Sequence, residues 1–166
     1  MSSCIIQFVT GNEYDSLSNE DKKKIVKLQS FDLISNENIY EITGSQLLSE
    51  LKKHEKSLVY LFRNGCKSEN CVSLNFIENY AKENNYKLFL IMDSYYKLNE
   101  ATSQNINSIL FAINNDAYDI KKSRKYSEVF KTELGYYTVA SKKEYRGRYM
   151  FFKRDKMIDI KMSIEK

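Results

Sequence analysis

Apolar residues in this chain form short blocks that switch between continuous runs and helical repeats. Leu58–Phe62, Tyr86–Met92 and Ser108–Ile113 are dense runs, too short for free-standing helices. Such runs fit strands covered on both faces, as in parallel sheets. Between them, Leu47, Leu48 and Leu51 recur at helical spacing in Gln46–His54, and Leu74, Ile77, Tyr80 and Ala81 mark one face of a second helix. A third helix is predicted over Lys125–Leu134, with Tyr126, Val129 and Phe130 inward and Gly135 as its cap. Asn99–Asn105 is polar and helix-compatible. Ile39–Ile42 alternates like a strand, and Thr43-Gly44-Ser45 ends it.

Upstream, the first ten residues read as an arm. Ser18 is a good N-cap with Asp21 at the capping-box position, and Ile25, Val26 and Leu28 form a short apolar face. Downstream, Arg148–Lys153 and Met157–Met162 flank the polar break Arg154-Asp155-Lys156, which suits a hairpin. Strand and helix alternate and a hairpin closes the chain. The expected class is therefore α/β with a mixed central sheet, as residues 39–166, behind an N-terminal arm and helical extension, residues 1–38.

A length of 166 residues with 29% charged and 42% hydrophobic residues describes one globular domain with a real core. The net charge of +4 is spread along the chain, so a nucleic-acid footprint is not expected. Lys121–Lys125 and Lys142–Tyr149 are basic clusters with aromatic neighbours, read here as solvated loop faces. No run approaches the ~18 apolar residues of a membrane span. Ser2-Ser3-Cys4 resembles the end of a bacterial lipoprotein signal, which would make Cys4 a lipid anchor and place the protein in the cell envelope, facing the periplasm. Without that anchor the expected location is the cytoplasm. No phosphate-cradling glycine loop is present. No metal or cofactor is expected, since the single histidine, His54, shares no ligand spacing with the cysteines.

Cys66 and Cys71 sit where the apolar strand Leu58–Phe62 gives way to the helix carrying Leu74 and Ile77. A thiol at a helix N-terminus feels the positive end of the dipole, which favours thiolate. A pair at this spacing can bridge if Cys66 lies in the turn and Cys71 in the first helical turn. On one regular helix the two would point ~140° apart.

Strand, polar turn, cysteine and long helix, in this order of elements, resemble the thioredoxin superfamily over roughly residues 39–162. Phe151–Ile158 is similar to the closing hairpin of that family. The extra strand and helix between about Ile109 and Leu134 resemble the insertion of its TlpA-like and peroxiredoxin-like branches. The resemblance implies a thioredoxin-like three-layer α/β/α fold and thiol–disulfide exchange with protein thiols or disulfides, Cys66 attacking and Cys71 resolving. Two departures stand beside it. Four residues, not two, separate the cysteines, and the chain has no proline, whereas the family places a cis-proline before its first hairpin strand. Arg146-Gly147-Arg148 occupies that stretch. Three readings of the pair therefore stay open: a redox couple, a structural disulfide, or plain thiols. The last two correspond to a redox-inactive module that binds another protein.

Overall fold

The computed structural model describes residues 11–66, 72–141 and 147–164. Among these, a seven-stranded mixed sheet runs in the order β1-β2-β5-β4-β3-β6-β7. The strands are β1 (Ile25–Lys27), β2 (Ile39–Ile42), β3 (Lys56–Phe62), β4 (Lys87–Met92), β5 (Leu110–Ile113), β6 (Tyr149–Lys153) and β7 (Lys156–Lys161). The first five pair in parallel, and β6 is antiparallel to both β3 and β7. The helices are α1 (Asn19–Lys24), α2 (Gly44–Leu51), α3 (Leu74–Glu83), α4 (Asn99–Thr102), α5 (Ser123–Glu133) and α6 (Tyr136–Ala140).

Alternation along the inner strands sorts the core into two halves. Val59, Leu61, Phe89, Ile91, Phe111 and Ile113 face α2, α5 and α6. Leu58, Tyr60, Phe62, Leu90, Met92 and Leu110 face α3 and α4. Helices thus cover both faces of an α/β sheet, an arrangement compatible with three α/β/α layers. Both faces of β3 are buried from Ser57 to Phe62, which is why the strand reads as an unbroken apolar run.

Local signals set the helix starts. Thr43 and Gln46 form a reciprocal capping box on α2, Ser73 accepts from the Phe76 N–H at the start of α3, and Ser18 does the same from Asp21 on α1. The predicted hairpin forms with a two-residue turn, Arg154 taking φ +53°.

Some expectations shift. Ile25 and Val26 continue no helix: they form β1, which pairs with Ile39 and Tyr40 of β2. Residues before 39 therefore contribute an edge strand to the same sheet. The alternating pattern of β2 suits a half-exposed strand, yet all four residues are buried, because β1 and β5 flank it and Tyr95 covers Glu41. Gly135 takes φ +75° beyond α5 as expected, but the chain then turns into α6. The arm, residues 1–10, lies outside the described residues, as do Cys4 and Cys71.

Candidate functional site

Strand β3 ends at Phe62 and delivers Arg63, Asn64, Gly65 and Cys66 to the C-terminal end of the parallel strands. Each residue of this loop is fixed differently. Arg63 Nε donates to Asp93 Oδ1 at 3.0 Å and its Nη2 donates to Ser123 Oγ at 3.3 Å. Asn64 is buried, its Nδ2 lying 3.6 Å from the Met92 sulfur. Gly65 takes φ +76°, which favours glycine, and a Cβ there would come within 2.9 Å of the Tyr96 ring, which would have to shift. Its N–H donates to Glu100 Oε2 at 2.6 Å, and Glu100 also pairs with Lys97 at 3.1 Å.

Cys66 itself is exposed and is one half of a disulfide. Its expected partner, Cys71, lies outside the described residues. Helix α3 opens at Leu74, with Ser73 as its cap, so seven positions separate Cys66 from the capping residue in the chain. The dipole acts over the first turn, and residues 67–71, which lead from Cys66 to that turn, lie outside the described residues.

His54 lies at the other end of the sheet. It precedes β3, whose seven residues span roughly 20 Å, and its Nε2 lies 3.0 Å from Glu50 Oε1. A dyad with Cys66 is therefore geometrically excluded. Among the described residues, no cluster of histidine, cysteine and carboxylate side chains is arranged to hold a metal ion. Nor is any described helix long and apolar enough to cross a membrane.

Two carboxylates, a half-buried one beside Arg63 and a buried one on β2, are held by hydrogen bonds, and neither was foreseen. Asp93 follows β4. Burial raises its carboxyl above the ordinary value, while the Arg63 bond and the charges of Arg148 and Lys131 pull it down. Its backbone carbonyl accepts from the Tyr126 hydroxyl. Glu41 lies on β2 and accepts from the Tyr95 hydroxyl at 2.9 Å. Burial raises its carboxyl too, with the hydrogen bond opposing. The only sequence signal for either is position: Asp93 is the first charge after an apolar run, and Glu41 interrupts one.

Gly147 and Arg148 occupy the approach to β6. Arg148 N–H donates to the Lys161 carbonyl at 3.0 Å and its own carbonyl accepts from Leu61 at 3.1 Å. The described residues contain no cis peptide bond. Arg146 lies outside them.

Comparison with known proteins gives no match, whether with family models, curated proteins or solved structures.

Proposed function

We propose that the protein is a thioredoxin-like thiol–disulfide oxidoreductase acting on protein thiols or disulfides, with Cys66 as the sulfur that substrates meet. The observation that carries this reading is the exposed disulfide of Cys66 at the end of an inner parallel strand. Ligands and chemistry gather at that end of open α/β sheets. The antiparallel β6 beside β3 is consistent with the closing hairpin of the resemblance. In exchange, an incoming thiolate attacks one sulfur of the disulfide; the S–S bond breaks as a mixed disulfide forms, and the other sulfur leaves as thiolate. Cys71 is the proposed partner in that bond. An oxidising setting such as the cell envelope keeps such a bridge formed.

The second reading is a redox-inactive module whose disulfide only fastens the loop. It is favoured by the late start of α3, whose capping residue Ser73 stands seven positions after Cys66 in the chain. One pair of measurements separates the two. The reduction potential is measured against glutathione, and insulin reduction is followed for the wild type and Cys66→Ser. A potential above about −300 mV, with turnover lost in the variant, is expected. A lower potential, or unchanged turnover in Cys66→Ser, overturns the oxidoreductase reading.

A further inference from the structure

We propose that the cavity between α5, α6 and the adjoining ends of β3, β4 and β6 binds the oxyanion group of a small ligand, a phosphate or a carboxylate. The cavity measures about 370 Å³, within the range of small-molecule sites. Its ionisable lining is Arg63, Arg124, Lys131 and Arg148 against Asp93 and Glu128. The basic side chains therefore exceed the acidic ones by two. They come from three separate parts of the chain, Arg124 and Lys131 sharing α5, and two of them, Arg124 and Arg148, belong to the basic clusters visible in the sequence. The fold brings one residue of each cluster to the same hollow.

Preorganisation is what distinguishes this hollow from a basic surface. Arg63 is held by Asp93 and Ser123 at 3.0 and 3.3 Å, so its guanidinium loses little freedom on meeting an anion. The backbone of Arg148 is locked between β3 and β7 by two hydrogen bonds of 3.1 and 3.0 Å. Its guanidinium forms no ion pair with any described residue. Ser127 lines the same wall and is buried, and its hydroxyl has no partner among the described residues. A buried donor without a partner is uncommon in folded proteins, and an oxyanion oxygen would satisfy it. Arg124 pairs with Glu128 at 3.3 Å on the exposed rim, where it adds attraction without fixed geometry. Phosphate and carboxylate share this chemistry: a planar donor fork, a second cation and a hydroxyl.

The test is calorimetric titration of the full chain at low ionic strength, with inorganic phosphate in one arm and succinate in the other. Saturable binding of one equivalent is expected in at least one arm, and which arm responds identifies the group. Arg148→Ala should weaken that binding roughly tenfold or more, the scale of a hydrogen bond to a charged group. Lys131→Gln, on the opposite wall, should weaken it in the same direction. Lys156→Ala, exposed in the hairpin away from the cavity, should leave it within about twofold. The proposal is overturned if neither anion binds saturably, or if Lys156→Ala weakens binding as much as Arg148→Ala. Neither outcome bears on Cys66, so this site stands or falls apart from the redox reading.

Discussion

Gly147→Ala should be among the most damaging single-atom additions to this protein, and the structure says by how much. A Cβ at this position would fall inside the carbonyl oxygen and carbon of Lys161, and within 2.9 Å of Ile160 Cγ2. The obstacle is backbone, so no rotamer change relieves it. The approach to β6 must move away from β7, opening the 3.0 Å bond from Arg148 N–H to Lys161 and straining the 2.9 Å bond from the Tyr136 hydroxyl to the Gly147 carbonyl. Overpacking of this kind costs ~1–3 kcal/mol, and a lost hydrogen bond adds ~1 kcal/mol. A loss of about 3 kcal/mol follows, which for a chain of this length lowers Tm by ~6–12 °C. Gly135→Ala is the control. Nothing lies within 4 Å of a Cβ there, and its only burden is φ +75°, worth ~1 kcal/mol. Urea unfolding followed by circular dichroism measures both. If Gly147→Ala stays within 1 kcal/mol of wild type, or costs less than Gly135→Ala, the close approach of β7 is wrong.

Three further outcomes rest on separate contacts. Glu41→Gln tests the buried carboxyl. Because the folded-state value lies above the ordinary 4.5, the native state holds its proton more tightly, and wild-type stability falls as pH rises through that window. The variant should therefore gain stability over wild type at pH 7 and match it near pH 4; a pH-independent difference in Tm would show that burial does not govern Glu41. Ser73→Ala removes the acceptor for the Phe76 N–H at 3.2 Å and should cost ~1 kcal/mol in urea. Leu58→Ala, fully buried on β3, should cost ~2–5 kcal/mol, whereas Ile158→Ala, 54% exposed on β7, should stay within ~0.5 kcal/mol. Equal effects at the two positions would contradict the placement of β3 inside the sheet.

Much of the architecture was legible because single residues carried it. The apolar runs at Leu58, Leu88 and Leu110 announce strands covered on both faces, and all three are inner strands. Ser18 and Thr43 mark their helix starts by capping. Strand β1 was misread as helix because three residues are too few for a period. Its β-branched Ile25 and Val26 are settled by pairing with β2, a contact invisible locally. The site divides along the same line. Cys66 announces itself by following a strand. The ion pair Arg63–Asp93 and the Tyr95–Glu41 bond join residues 30 and 54 positions apart, and neither spacing has a periodic signature. The start of α3 was blurred because polar residues before Ser73 carry no apolar repeat to date the first turn.

Sheet order also bears on where the candidate groups lie, on the β3 side. The chain leaves β4 toward the face covered by α3 and α4, but leaves β5 toward the face covered by α5 and α6. Adjacent parallel strands that send their connections to opposite faces open a crevice at their C-terminal ends, where ligands commonly bind. Here the residues just before α1 approach that crevice. Asn12 donates to Asn115 Oδ1 at 2.6 Å, its carbonyl accepts from Tyr95 N–H at 2.7 Å, and Tyr14 packs edge-on against the Tyr95 ring at 5.9 Å. Asn115 and the Tyr95 N–H, at the β4–β5 switch point, are thus engaged by the protein's own backbone and side chains. At the same end, where β6 begins antiparallel to the end of β3, Cys66 is exposed and Arg63 and Arg148 line an open hollow.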